Sequence, residues 1–253
     1  MKSVVRKILK KASNTQQVHI IGISRSGTTM LQYAMLAFKD IEVVNKETSI
    51  QEPHISGLFK RACLGLFSNK KTILLTKRNF AWFDPSTVLK EIEVAKAEGI
   101  HIILLVRDPR DVLSSKHKRA SEKKYYVDVN HWVSSANAIN QYKDALTETN
   151  QISVIRYEDL VLNPIETTKL LNANIGLILR DGVEDLSKIK SNIETNGYVI
   201  SPAQSAAMHS IRDMDTDSID RWKKSNFQLA ELNANQDQQK LIKQFMDTYQ
   251  YIT

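Results

Sequence analysis

Four short apolar runs constrain what this chain can fold into: "VHIIGI" at 18–23, "TILLT" at 72–76, "IHIILLV" at 100–106 and "ISVI" at 152–155. Each is rich in β-branched residues and nearly continuous rather than alternating, as in a parallel strand buried on both faces. Helical patterns lie between them, at 28–38, at "PSTVLKEIEVAKAEG", at 109–120 and at 128–148. "NPIETTKLLNANIGL" and 235–250 read as further helices, and 181–225 as polar, irregular chain with short helices. Strands that alternate with helices imply an α/β protein with a central parallel sheet and right-handed crossovers. There is no internal repeat and no low-complexity linker, so 1–253 reads as a single domain with a basic N-terminal segment at 1–16.

Each run leads directly into basic residues. Ser24-Arg25 comes after the first, Lys77-Arg78 after the second, Arg107-Asp108 after the third, and Arg156-Tyr157-Glu158-Asp159 after the fourth. Ligands of open α/β sheets bind outside the carboxyl ends of the strands. Four strand ends are therefore expected to put basic side chains around one crevice. The net charge of +7 (35 basic residues against 28 acidic) agrees with an anionic partner.

The first turn is the most informative. "GISRSGTT" at 22–29 has the Gly-x4-Gly frame of a phosphate-binding loop, closed by Gly22 and Gly27. A helix N-terminus beginning there presents amides and a positive dipole end to an anion. Nucleoside triphosphatases place lysine directly after the second glycine; here that slot holds Thr28, and the cation is Arg25. No magnesium-binding aspartate follows an apolar strand, because Asp108 precedes Pro109 in the manner of a helix cap. In "RDPRDVLSSKHK", Arg107 and Ser115 can converge on one anion, with Ser114 as a fallback and Arg110 as a surface or helix-start cation. Asp111 and Ser115 are four apart and would share a helix face.

These residues resemble the sulfotransferases that use PAPS (3′-phosphoadenosine 5′-phosphosulfate), most closely in motif style the bacterial and tyrosylprotein types. "GISRSGTTML" is similar to that family's 5′-phosphosulfate loop, "VRDPRDVLSS" to its 3′-phosphate motif, and "VIRYEDLVLNP" and "SIDRWKKS" to two later motifs. The resemblance spans 18–225 and implies a three-layer, P-loop-like fold. It implies that Arg25, Ser26, Gly27, Thr28 and Thr29 hold the phosphosulfate and that Arg107 and Ser115 hold the 3′-phosphate. It also places Tyr157 near the adenine and makes Arg221, Trp222 and Lys223 a cluster closing over the cofactor. Relatives with a tryptophan after Ser-Gly-Thr-Thr stack it on the adenine. This chain has Met30, so adenine packing is expected from Tyr157 or Trp222, with Met30 in the core.

By the same resemblance, Glu47 in "VVNKETSIQEPH" is the general base, with Glu52 and His54 as rivals. Lys77 is the cation that reaches the transferring sulfuryl group, with Arg78 as an alternative. The reaction would move sulfuryl from PAPS to an acceptor hydroxyl, leaving PAP, with side-chain cations serving where a metal otherwise could. Carbohydrate or glycolipid is the preferred acceptor. A P-loop kinase and a non-catalytic anion-binding domain are the competing readings. No aromatic-basic strip for stacking nucleic-acid bases accompanies the charge. His117 and His131 have no companions at metal-ligand spacing.

The single cysteine, Cys63, excludes an internal disulfide and fits a reducing, cytoplasmic setting. The N-terminus lacks the long apolar core of a signal peptide, and no run approaches the ~18 apolar residues of a membrane span. Val4, Val5, Ile8 and Leu9 recur at helical spacing among lysines. That pattern suits either a docking helix or weak contact with a membrane surface.

Overall fold

The computed structural model describes residues 2–50, 71–80, 85–116, 125–190, 213–225 and 227–251. Five parallel strands form one sheet: β1 Thr15–Ile23, β2 Ile41–Glu47, β3 Thr72–Phe80, β4 His101–Val106 and β5 Ile152–Arg156, in the order β2-β3-β1-β4-β5. The helices are α1 Lys2–Ala12, α2 Thr28–Ala34, α3 Pro85–Glu98, α4 Pro109–Leu113, α5 Val129–Leu146, α6 Tyr157–Leu162, α7 Pro164–Ile175, α8 Arg221–Lys224 and α9 Gln236–Thr248.

The sheet separates two apolar layers. On one side Ile21, Ile102 and Leu104 pack with α3, α5 and α9, centred on Trp132 and Tyr142. On the other, Val18, Ile20, Ile103 and Leu105 pack with α2, α6 and α7, around Leu31 and Phe38. β1 and β4 are central and buried along nearly their whole length, which is why their sequences do not alternate.

Two expectations change. The segment 41–47 is a fifth strand that the apolar-run criterion missed. It lies at the sheet edge, where Ile41 and Val43 are buried and Glu42 is exposed. The helix expected over 109–120 ends at Leu113. Ser114 closes it, and the chain turns extended, with Lys116 bridging Tyr125 and Tyr126 N donating to Ser115 O at 2.8 Å. At its start Asp108 caps the helix by accepting from Arg110 N, and Pro109 fills its first position.

Candidate active site

The loop after β1 is tightly constrained. A Cβ on Gly22 would lie 2.7 Å from Ser26 Oγ and 2.8 Å from Leu105 O. Gly27 has φ 97°, and a Cβ there would lie 2.6 Å from the Tyr157 ring, so neither position admits a side chain. Ser26 turns inward, its Oγ donating to Ile23 O at 2.7 Å. Arg25 itself is left-handed, with φ 73°, a conformation that costs a non-glycine residue about 1 kcal/mol or more. Arg107 pins it there by donating from Nη1 to Arg25 O at 3.1 Å.

Arg25, Arg107 and Ser115 therefore meet. Arg25 Nε donates to Ser115 Oγ at 2.9 Å, while its own carbonyl sits on Arg107. The early end of the helix is what permits this, since Ser115 lies on the extended segment beyond α4 and not on its face. Arg107 is further held by Asp111 Oδ2 at 3.1 Å and by the Ser218 carbonyl, and its guanidinium lies 4.2 Å from the Tyr157 ring centroid. Tyr157 Oη donates to Ser218 Oγ at 2.7 Å.

These groups border a cavity of about 310 Å³, lined among others by Arg25, Thr29, Arg107, Tyr126, Tyr157 and Arg221. Gly27, Thr28 and Met30 also line it, so Met30 faces the cavity from a partly buried position. Burial depresses the Arg25 guanidinium from its ordinary value, with Tyr126 opposing that and Arg107 and Arg221 adding to it. Asp213 and Asp215 lie on the rim, engaged with the backbone amides of Lys190 and Asp217. Three arginines, Arg25, Arg107 and Arg221, thus line one small cavity, a composition that suits an anion.

The other motif cations divide by strand face. Lys77 lies within β3, which continues to Phe80, and is nearly buried at 5% exposure. Its Nζ donates to Thr29 Oγ1 at 3.1 Å and to Glu47 Oε1 at 3.0 Å. Glu47 sits opposite Lys77 in the strand register, with about half its side chain in solvent. Arg78 points to the other face and pairs with Glu91, which also accepts from Tyr142 Oη at 2.6 Å. Arg156 pairs with Asp159 and borders a separate hollow at the β5 edge. The expected ring of four strand-end cations is thus smaller, because alternation sends Arg78 into the opposite layer and β5 ends at the sheet edge.

Arg221 lines the cavity, whereas its two neighbours turn elsewhere. Trp222 lies 4.2 Å from the Arg110 guanidinium and donates its backbone N–H to Asp111 Oδ1 at 3.0 Å, and Lys223 pairs with Asp220. Arg110 is held by Asp108 at 2.7 Å. Glu52, His54, Cys63 and His117 lie outside the described residues. Sequence reasoning singled out neither Tyr126 nor Ser218 for this site, and it placed Asp111 on a helix face without giving it a role. Asp111 and Ser218 lie inside the quoted motifs, whereas Tyr126 belongs to none of them.

The profile of the sulfotransferase family matches residues 98–181, which hold β4, Arg107, Ser115, β5 and Tyr157. Among solved structures, the sulfotransferase domain from the curacin biosynthetic pathway superposes with a TM-score of 0.60 at 17% identity, over 91% of this chain and 97% of that one. Residues 98–181 are thus similar in sequence to the sulfotransferase family, and the whole chain shares the fold of that domain. The mouse sulfotransferase SULT7A1 complexed with PAP also matches, over 92% of this chain and 85% of that one at 15% identity, with a TM-score of 0.48. No curated protein matches.

Proposed function

We propose that this protein transfers the sulfuryl group of PAPS to an acceptor hydroxyl, with a carbohydrate or glycolipid as the preferred acceptor. The observation that carries the reading is the meeting of Arg25, Arg107 and Ser115, from motifs about 80 residues apart, with both arginines lining one cavity. Arg107 and Ser115 suit the 3′-phosphate, and the loop 25–29 suits the phosphosulfate. Tyr126 and Tyr157 line the cavity where the adenine would lie, with Arg25 and Arg107 already stacked on their rings, and Arg221 closes the rim.

Sulfuryl transfer is an in-line attack by an acceptor oxygen on sulfur, with PAP leaving through its bridging phosphate oxygen. Charge develops on that oxygen, so preorganised cations there lower the barrier. Lys77, fixed by Thr29 at the loop, and Arg25 are the cations for it. Glu47 is a partly solvated carboxylate beside Lys77, so it can take the acceptor's proton as the oxygen attacks. This reading requires Lys77 to exchange its contact with Glu47 for the cofactor's oxygens. That exchange frees the carboxylate as base.

The test is calorimetric titration with PAP, and with ATP in the absence and presence of magnesium, on the wild type and Arg107→Ala. PAP in the micromolar range, weaker ATP and a loss of tenfold or more in the variant are expected, because the change removes a charge-assisted phosphate contact. Magnesium-dependent ATP binding without preference for PAP would overturn the proposal.

A further inference from the structure

The helix α1 is docked by its charged side. Arg6 and Lys10 are buried, at 7% and 6% exposure, and both bind Glu98 at the end of α3, with Nη2 and Nε of Arg6 at 2.9 and 3.1 Å and Nζ of Lys10 at 2.8 Å. Val4, Val5 and Ile8 turn outward instead, while Leu9 is half-buried. Val4 and Ile8 are each 61% exposed and Val5 37%. At 100° per residue, Val4, Ile8 and Lys11 share the side opposite Arg6 and Lys10, with Lys7 beside them. Lys7 and Lys11 are exposed. Lys71, which precedes β3 and so lies at the same end of the sheet, is exposed as well. A soluble amphipathic helix does the reverse, burying its apolar stripe and wetting its lysines.

We propose that α1 is an interfacial helix that rests its outward Val4-Ile8 face on an anionic lipid bilayer. The occupant follows from charge complementarity. An apolar strip flanked by lysines fits the boundary between acyl chains and negative headgroups, and the buried Arg6–Glu98–Lys10 cluster holds the helix to the domain from the other side. No described helix is long and apolar enough to cross a membrane, so the contact is peripheral.

The placement bears on the acceptor, a consequence that rests on the sulfotransferase reading. α1 leads into the amino end of β1, and the cavity lies beyond its carboxyl end. Nine residues of strand separate them, or about 25 Å. A molecule resting on α1 therefore keeps its active-site mouth clear of the headgroups it stands on. That arrangement suits a soluble carbohydrate acceptor better than a glycolipid of the same leaflet.

The full chain would be sedimented with vesicles of phosphatidylcholine and of phosphatidylcholine mixed with phosphatidylglycerol, at low and high salt. The wild type is expected to partition at least about tenfold more strongly into the anionic vesicles, and less at high salt. Val4→Asp with Ile8→Asp should reduce that partition about tenfold or more, and Lys7→Glu with Lys11→Glu should do the same. Thermal midpoint and PAP affinity should stay unchanged in both, because these side chains face solvent. Failure of the wild type to bind anionic vesicles, or equal binding by the Val4/Ile8 variant, overturns the proposal. A self-associating wild type that the Asp variant turns monomeric, without vesicle binding, also overturns it and assigns the face to a second copy. A chain that binds vesicles but not PAP would refute the sulfotransferase reading alone.

Discussion

Residue by residue, the site separates groups that bind from groups that react. Glu47 and Lys77 face each other across two strands, while Arg107 and Ser115 grip Arg25 at the other end of the loop. Glu47→Gln keeps the size and the Lys77 contact but removes the base. It should lower kcat by about 10² to 10⁴ while leaving PAP affinity within about twofold. Equal losses in kcat and PAP affinity would show Glu47 to be a binding residue. Gly27 offers a sharper control on the loop. Alanine there meets both a left-handed φ and the Tyr157 ring at 2.6 Å, so it should cost about 1 to 3 kcal/mol and weaken PAP at least tenfold. Gly99 has φ 63°, and a Cβ added there would meet nothing within 4 Å, so it faces only the backbone cost. Its alanine variant should lose about 1 kcal/mol and bind PAP normally, as urea melts and calorimetry would report.

Among strands and helices, legibility in the sequence follows burial. β1, β3 and β4 announce themselves because both faces are covered, which forces continuous apolar runs; β5, an edge strand that buries alternate residues, is legible only because its short run is apolar and β-branched. β2 is not, because an edge strand buries only part of its surface and its "IEVVNKE" reads as mixed chain. α4 was overextended because "DPRDVLSSKHK" carries helix-compatible residues throughout. Its true end is set by pairing between 116 and 125, a contact that local periodicity cannot carry. The anion-gripping residues were legible from two motifs with fixed spacing. Asp111 stands four residues after Arg107, within local reach, but Tyr126 and Ser218 were not legible, since only the packed fold brings 126 to Arg25 and 218 to Arg107. The junction of α1 and α3 carries a prediction of its own. Glu98 is 1% exposed in its side chain and pairs with two buried cations. Burial already depresses the Lys10 ammonium from its ordinary value, opposed by Glu98. Glu98→Ala removes the carboxylate from both cations and should cost about 3 to 5 kcal/mol in urea unfolding. If α1 can instead swing into water, the loss will be under about 1 kcal/mol and protease sensitivity will rise near residue 12. Either result measures how firmly the domain holds the helix.

Across the protein, buried titratable groups set the pH range of stability, and they oppose one another. His19, fully buried between β1 and β3, shares a hydrogen bond with Thr76 Oγ1 at 2.6 Å. Burial pulls it down to about 3, with Arg78 adding to the effect. His101 lies in β4 against Ser153 Oγ at 2.8 Å, and burial pulls it down to about 4. Both stay neutral when folded but charge near 6.5 when unfolded. The unfolded chain then binds more protons, so stability falls as pH drops through 6.5 and stops falling only below the folded values. At pH ~4.5 each histidine costs roughly 2 to 3 kcal/mol, against a total of about 5 to 15 for a domain. Glu158 works the other way. It accepts from Asp108 N at 3.1 Å, and burial pushes its carboxyl above the ordinary value, opposed by that hydrogen bond and by Arg107. Its proton is held more tightly when folded, so its contribution declines as pH rises from about 4.5 toward its folded value. With two buried histidines lowering stability in acid, the urea midpoint is expected to fall between pH 7 and 4.5. Replacing His101 by Asn, which keeps a hydrogen-bonding side chain for Ser153, should remove close to half of that fall. Glu158→Gln should leave the acid loss intact or steepen it, because it deletes a term that favours the folded state in acid. A midpoint flat from pH 7 to 4.5 in the wild type would mean that the histidines reach solvent or protonate without unfolding the sheet.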